Sequence, residues 1–293
     1  MTYRRGVESF DLFRQCLGVT CAWPAPIPHV IAFLSHLSIE GKAPSTIGTY
    51  LASIAFVHKV NGWIDPTDNF VVKKMREGSR RLKGQPDCRS PITISILNHV
   101  CQSLNGFCTS VFEVSLFKAA FLLAFFGFLR VGEFTAISKN SDSSRILNIK
   151  DVSINKGGFM NVVIRFSKTD QRGKSVTLRF QHGSSGILCP VKAMTDYLCV
   201  RPMGDGPLFI HSNSSPLTRY QFDSVLKKGI RSIGLEPKNF SPHSFRIGAA
   251  TAAAVGGIPL DSIKSMGRWQ SSAVMLYIRP HRIIHSCALS GVL

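Results

Sequence analysis

Apolar residues recur at helical spacing along most of this chain, and runs of β-forming residues occur in one central stretch. In the first 85 residues, apolar positions three and four residues apart predict four helices, bounded by proline, glycine and asparagine signals. This stretch is therefore predicted to form a small all-helical unit. The predicted helices are Val7–Leu17, Ile27–Ile39, Pro44 to the Asn61–Gly62 stop, and Asn69–Lys83.

The polar stretch Gly84–Pro91 predicts a linker, which we place at residues 86–92. Beyond it, core helices lead into three short β-forming runs separated by turn residues, which predict an antiparallel meander. Helical patterns then resume. The predicted helices are Ile94–Asn105, Glu113–Phe126, Pro190–Val200, Arg219–Ile233, Phe245–Val255, Leu260–Met266 and Ser272–Ile278, and the predicted strands are Ile149–Ile154, Val162–Ser167 and Val176–Phe180.

These elements predict a mainly α-helical protein with one small antiparallel sheet, which is an α+β fold class. A helical domain over residues 1–85 is followed by the linker and by a second domain over residues 93–293. The length of 293 residues and the apolar fraction of 44% are typical of two packed domains.

Lysine and arginine outnumber aspartate and glutamate by 35 to 17, which gives a formal net charge of +18. Such an excess repels itself unless an anionic partner is bound, and the partner would be nucleic acid or an anionic membrane surface. The longest apolar run, Ala119–Leu129, is too short to span a bilayer, which takes about 20 residues. The composition therefore favours nucleic acid and no membrane partner.

The eight cysteines are scattered without a C-x-x-C pair. This pattern argues against a zinc site or a disulfide framework and favours a reducing interior. The N-terminal Met1–Arg5 leads into Glu8 and Asp11, so no signal peptide is predicted. We expect a nuclear or cytoplasmic protein that is not secreted.

The fourth predicted helix carries six basic residues against a single acid, Glu77. One interpretation is a solvated helix face, and the other is a stripe that faces nucleic-acid phosphates. Because acids are scarce throughout the chain, the second interpretation is at least as strong as the first. The basic residues are Lys73, Lys74, Arg76, Arg80, Arg81 and Lys83.

Metal-free cleavage of a phosphodiester needs cations for the non-bridging oxygens, a nucleophile in line with phosphorus and a proton donor for the leaving oxygen. His243 and Arg246 lie three residues apart, on one face of a predicted helix. Ser241 as N-cap and Pro242 as first residue would place the pair at a helix N-terminus, which favours anions. A capped surface helix would also explain the pair.

Three further residues would complete such a set. Arg130 follows an apolar helix, and Glu133 either neutralises it as an ion pair or braces it while it binds phosphate. Lys168 ends a predicted strand, where it is either solvated or a proton donor for the leaving oxygen. Tyr277 is either a core ring with a polar tip or the nucleophile.

Together and in this order, these residues resemble the tyrosine recombinase/integrase family, of the phage-integrase and Xer type. The resemblance covers nearly the whole chain and implies a helical core-binding domain with a SAM-like fold, a linker and a catalytic domain. The matching positions are the L-R-x-G-E stretch Leu129–Glu133, the hairpin lysine Lys168, the H-x-x-R pair His243 and Arg246, and the terminal tyrosine Tyr277. Within the family, the stretches that look most like DIRS-like and Crypton-like recombinases of eukaryotic mobile elements are Ser167–Gln171, His243–Ala253 and Gly267–Trp269.

Two features depart from the family pattern. The family has a histidine or tryptophan nine residues before the tyrosine, but Arg268 occupies that position and Trp269 follows it. We predict that Trp269 fills the role by donating its indole N–H to phosphate, with Arg268 as the second choice. In addition, Ser138–Asn148 lengthens the segment between Arg130 and the sheet, which predicts a polar surface insertion.

The resemblance implies a reaction that needs no metal, ATP or other cofactor. Tyr277 attacks the scissile phosphate, forms a 3′-phosphotyrosyl bond and releases a 5′ hydroxyl. Arg130 and Arg246 hold the non-bridging oxygens. Lys168 protonates the leaving oxygen, and His243 acts as acid or base on the tyrosine proton. A 5′ hydroxyl from a partner strand then reverses the step.

The resemblance also implies double-stranded DNA as the partner, clamped by the two domains, and four protomers at synapsis from a free monomer or dimer. The tail His281–Leu293 is predicted either to dock on a neighbouring protomer or to cap its own core. Two rival functions are a recombinase-derived DNA-binding protein that no longer exchanges strands, and a type IB topoisomerase. The helical first domain and the L-R-x-G-E stretch favour the recombinase over the topoisomerase.

Overall fold

The computed structural model describes residues 2–83, 87–155, 157–166, 175–183 and 188–283. These residues form two compact units, Met1–Asp87 and Cys88–Leu293, each with its own hydrophobic core. The predicted fold class is confirmed, because the chain is mostly helical with one small antiparallel sheet. Lys168 and the tail from residue 284 onward lie outside the described residues.

The first unit packs its helices around a core in which Phe10, Phe33 and Ile54 are fully buried. Proline lies in the first turn of its second and third helices, where a missing N–H leaves no intrahelical bond unmade. All four predicted helices are present, with some ends moved by a few residues. They are α1 Thr2–Cys16, α2 Ile27–Ile39, α3 Pro44–Val60 and α4 Phe70–Lys83, and a 3₁₀ turn at Pro66–Asp68 precedes α4.

The core of the second unit includes the helix α6, Val111–Phe126, which is buried along most of its length. Ser110 caps this helix by accepting a hydrogen bond from the Glu113 N–H at 3.2 Å. Its Phe121 ring packs against Phe222 and Phe245 of two later helices, with centroids 5.1 and 5.2 Å away. The helices of this unit are α5 Ile94–Ser103, α6 Val111–Phe126, α7 Val131–Phe134, α8 Pro190–Val200, α9 Arg219–Ser232, α10 His243–Val255 and α11 Leu260–Met266.

The predicted meander is present as a sheet in the order β1-β2-β3, with both strand pairs antiparallel. Its central strand alternates between buried and half-buried positions, as a strand with one face on a core must. The first strand is shorter than predicted, because Asn148 and Asp151 exchange hydrogen bonds that close a 3₁₀ turn at Ile149–Asp151. The strands are β1 Val152–Ile154, β2 Phe159–Ile164 and β3 Val176–Gln181.

The end of the predicted linker packs tightly against α10. The Ser90 N–H donates to the Asn239 carbonyl at 2.8 Å, and the Ile92 N–H donates to the Ser244 carbonyl at 3.1 Å. A Cβ at Gly248 would lie 1.9 Å from the Ile92 carbonyl oxygen, so only glycine allows the two backbones to come this close. Residues 90–92 therefore belong structurally to the second unit.

Two local predictions were wrong. Ser272–Leu276 forms a 3₁₀ helix rather than an α-helix, and the Ser271 hydroxyl caps it by accepting from the Ala273 N–H at 3.3 Å. Ser241 is not the N-cap of α10, because Pro242 occupies that position and the Ser241 N–H instead donates to the Ser244 hydroxyl at 3.1 Å. Among the described residues, no helix combines the length and the apolar character needed to cross a bilayer.

Candidate active site

The turn that follows α6 gathers two of the arginines. Phe128 adopts a left-handed backbone conformation, with φ at 49°, just after the helix ends at Phe126. Its carbonyl accepts hydrogen bonds from the Arg246 Nη1 and, at 3.3 Å, from the Arg268 Nη2. Carbonyls at a helix C-terminus carry partial negative charge, so this turn stabilises guanidinium groups.

Glu133 links Arg130 to Arg268 within the same site. Its carboxylate accepts from the Arg130 backbone N–H at 2.9 Å and from the Arg130 Nη1 at 3.2 Å. It also accepts from the Arg268 Nη2 at 2.9 Å. The Arg130 side chain is 19% exposed and the Arg268 side chain only 8%. Arg130 is therefore both braced by Glu133 and the more accessible of these two arginines.

Among the described residues, Arg246 is the one fully buried arginine of the site. One terminal nitrogen donates to the Phe128 carbonyl and the other to the Gly267 carbonyl. The Trp269 ring covers the guanidinium with its centroid 4.1 Å from the central carbon. Burial lowers the pKa of Arg246, and the charges of Arg130 and Arg268 lower it further. Arginine starts from so high a pKa that the group stays protonated at neutral pH.

The Tyr277 ring is half-buried and packs against three of the predicted site residues. The His243 and Trp269 ring centroids are each 4.8 Å from the Tyr277 centroid. The Arg246 guanidinium lies 5.5 Å from the same centroid.

Each of the three residues of the Gly267–Trp269 motif has its own structural role. A Cβ at Gly267 would lie 1.7 Å from the Trp269 ring, so only glycine lets the ring fold back over the backbone. Arg268 adopts a left-handed conformation, with φ at 57°. The Trp269 indole N–H is buried and has no hydrogen-bond partner among the described residues.

Gly267→Ala is expected to lower the free energy of unfolding by about 1–3 kcal/mol, because the added methyl group displaces the Trp269 ring. Urea unfolding of the purified protein measures this loss. Gly106→Ala is the matched control, since a Cβ at Gly106 meets nothing within 4 Å. Equal stability of the two variants would show that the ring does not pack on Gly267.

The backbone on either side of Tyr277 is held by Thr251 and Arg279, neither of which the sequence predicted as a site residue. The Thr251 hydroxyl donates to the Tyr277 carbonyl at 3.1 Å and accepts from the Arg279 N–H at 3.0 Å. The Arg279 guanidinium donates to the Leu276 carbonyl at 2.8 Å and to the Arg89 carbonyl at 3.0 Å. A threonine five residues after Arg246 carries no local signal for this contact, which depends on the tertiary fold.

The structure brings together five of the predicted catalytic residues: Arg130, His243, Arg246, Trp269 and Tyr277. The supporting residue Glu133 and the second-choice residue Arg268 lie in the same cluster. Lys168 is outside the described residues and cannot be placed in it.

The basic residues of α4 belong to the first unit and divide into two groups. Lys73 pairs with Asp68 at 3.0 Å, and Lys74 and Arg81 both pair with Glu77. Arg76 and Arg80 are exposed and form no ion pair with the described residues. These two arginines line a groove of about 500 Å³, whose other lining residues are Tyr3, Pro44, Ser45, Gly48, Thr49 and Ala52. The Lys83 side chain lies outside the described residues.

The chain is similar to known proteins over most of its length. The sequence profile of the phage integrase family matches residues 96–282. An integrase/recombinase xerD homolog of Selenomonas ruminantium is 24% identical over 299 residues, covering 97% of this chain and 82% of that protein. The family match therefore spans more than half of the chain.

Two solved structures show the same fold. The XerH site-specific recombinase bound to a palindromic difH substrate has a TM-score of 0.69 at 14% identity, covering 94% of this chain and 74% of that one. A lambda integrase dimer bound to a COC′ core site has a TM-score of 0.62 at 16% identity, covering 94% and 86%. With the family match, these findings lead to one conclusion: the chain belongs to the phage integrase family of tyrosine recombinases.

Proposed function

We propose that this protein cleaves and rejoins DNA strands through a covalent bond between Tyr277 and a 3′ phosphate. The observation that carries the proposal is the position of Tyr277, whose ring centroid lies 5.5 Å from the Arg246 guanidinium and 4.8 Å from the His243 ring. Arg246 lies close to Arg130, Arg268 and Glu133, so three guanidiniums share a single carboxylate and leave a net positive charge. Such charge stabilises the negative charge that builds on phosphate oxygens in the transition state.

The proposed step exchanges one P–O bond for another. The Tyr277 oxygen attacks phosphorus as the bond to the 5′ oxygen breaks, and His243 takes up the phenol proton. Lys168 gives a proton to the leaving 5′ oxygen, a role that rests on the family resemblance alone. A 5′ hydroxyl attacking the phosphotyrosine reverses the reaction, so no cofactor enters the balance.

Arg130 would meet the phosphate first, because it is more exposed than Arg246. Contact with Arg246 requires the Trp269 and Tyr277 rings to move off its guanidinium. The unpaired Trp269 N–H would then gain a phosphate oxygen as its acceptor, which relieves the cost of a buried unsatisfied donor. This geometry supports Trp269 at the histidine/tryptophan position of the family, while Arg268 already has protein partners.

Double-stranded DNA is the partner that we propose for the first unit. Arg76 and Arg80 lie four residues apart on α4, so both point to one side of the helix. The Arg76 guanidinium lies beside Gly48 of α3, where even a Cβ would be in ordinary contact with its Nη2, at 3.6 Å. The groove that they line therefore offers two unpaired cations to a phosphate backbone.

Replacing Arg76 and Arg80 together by glutamine is expected to weaken binding to nonspecific duplex DNA. The slope of log affinity against log salt should fall by about 0.9 for each phosphate that the variant no longer neutralises. Fluorescence anisotropy at several salt concentrations measures both quantities. Replacing Lys74 and Arg81 together by glutamine is the matched control on the same helix, because Glu77 already neutralises part of their charge. An equal effect of the two double variants would contradict the assignment of the groove.

The alternative function is a DNA-binding protein that no longer exchanges strands. A set of nicked duplexes covering the DNA that flanks the gene distinguishes the two functions. When cleavage occurs next to the nick, the short fragment with the 5′ hydroxyl dissociates, so it cannot reverse the reaction and the covalent intermediate is trapped. The proposal predicts an SDS-resistant protein–DNA adduct on at least one duplex. Tight binding without any adduct would support the alternative. Assembly of four protomers at synapsis and the DIRS-like or Crypton-like subgroup stay predictions.

A further inference from the structure

We propose that Arg268 is a positioning residue, which acts through Glu133 to keep the Arg130 guanidinium and its charge available to the scissile phosphate. This inference rests on the proposed function and deepens it. It assigns a part in the reaction to an arginine that would not touch the DNA.

The contacts of Arg268 are all with the protein. Its Nη1 donates to the Gly127 carbonyl at 3.2 Å, and its Nη2 donates to the Phe128 carbonyl at 3.3 Å. The same Nη2 donates to Glu133 Oε2 at 2.9 Å. Its side chain is 8% exposed, and unlike Arg246, whose terminal nitrogens donate to carbonyls, Arg268 already pairs with a carboxylate.

The backbone conformation of Arg268 indicates that its side-chain contacts hold this residue in place. A left-handed φ is uncommon for a residue with a side chain and persists where surrounding contacts hold it. Here the guanidinium reaches the turn after α6 and a carboxylate 135 residues away in sequence. These contacts are the ones that would fix the unusual conformation.

The charge of Glu133 explains why the position of Arg268 matters for Arg130. Glu133 is 4% exposed, so its charge is little screened by water and acts strongly on its neighbours. With Arg268 present, the carboxylate divides its interaction between two guanidiniums. Without Arg268, the whole carboxylate charge would act on Arg130, drawing it away from the phosphate and reducing the positive charge that the phosphate meets.

Arg268 also connects the two predicted phosphate ligands. The Phe128 carbonyl accepts from both Arg268 and Arg246. Arg268 therefore contacts one group that holds Arg246 and another that holds Arg130. The second-choice prediction, in which Arg268 itself fills the histidine/tryptophan position, does not include these contacts.

The test compares the rate of adduct formation among variants on the nicked duplex that gives an adduct. Arg268→Met is expected to slow the reaction by about 10- to 100-fold, less than the loss of a direct phosphate ligand. Adding Glu133→Gln to Arg268→Met removes the carboxylate that Arg268 no longer balances. The double variant is expected to form the adduct at least about threefold faster than Arg268→Met alone. A packing role for Arg268 predicts a further loss in the double variant.

A neutral substrate provides the second readout. When a methylphosphonate replaces the scissile phosphate, less charge needs stabilising, so the Arg268→Met defect is expected to shrink to about threefold or less. Arg201→Met is the matched control, because Arg201 is also buried and donates to backbone carbonyls such as Leu208 and Pro207. Its effect should be the same on both substrates.

The inference is overturned if Arg268→Met slows the reaction by the same factor, relative to the wild type, on both substrates, and if adding Glu133→Gln restores none of the lost rate. Arg268→Lys, which keeps the charge, covers the case in which the methionine variant does not fold. It should retain the wild-type ratio of the two rates, and a changed ratio would count against the inference. Absence of any adduct with the wild-type protein would instead refute the proposed function.

Discussion

Tyr277→Phe is expected to abolish formation of the covalent protein–DNA adduct, with a loss of at least about 10⁴-fold. The variant loses the nucleophilic oxygen but keeps the ring that packs against His243 and Trp269. Its fold and its affinity for duplex DNA should therefore stay close to those of the wild type. Adduct yield on nicked duplexes, read by SDS gel, measures the effect.

Tyr220→Phe is the control for the loss of a phenolic oxygen, because Tyr220 is 80% exposed on α9. This variant should form the adduct at the wild-type rate. An adduct that survives Tyr277→Phe would mean that another residue attacks the phosphate, and the assignment of Tyr277 would be withdrawn.

Arg246→Lys is expected to slow adduct formation by about 10²- to 10³-fold, the usual effect of removing one donor to transition-state charge. A lysine keeps the positive charge but cannot donate to the Phe128 and Gly267 carbonyls in the geometry of the guanidinium fork. The same change should also lower the free energy of unfolding, because a buried carbonyl loses its partner. Single-turnover rates and urea unfolding separate the two effects.

Arg201→Lys is the matched control for this variant, since Arg201 is a second buried arginine bonded to backbone carbonyls. It should lose stability while the rate per folded molecule stays near that of the wild type. If the two variants lose rate equally, the effect of Arg246→Lys comes from folding, and Arg246 does not stabilise the transition state.

Helix positions could be predicted from the sequence where local signals decide them. The helices α2, α8 and α11 begin and end at the predicted residues, and proline lies at the N-terminal boundary of each. Elsewhere, a competing local turn overrode the strand pattern. The β-forming run at Ile149–Ile154 lost its first half to the Asn148–Asp151 turn, which competes with the strand for the same backbone groups.

The residue types of the site could also be predicted, but their connections could not. Spacing along a helix indicated the Arg130–Glu133 pair. No local signal could indicate that Phe128 would take a left-handed conformation or that Arg268 would reach Glu133. Those contacts exist only after α6, α7 and the segment after α11 have packed together.

Mapping the attachment point of the trapped DNA tests the account most directly. Trypsin should release a peptide spanning Trp269–Arg282, since the bond before Pro280 resists cleavage, and Tyr277 is its one tyrosine. Mass spectrometry after nuclease treatment is predicted to show a nucleotide bound to Tyr277 through its 3′ phosphate. A nucleotide on any other residue, or one joined through a 5′ phosphate, would contradict the account.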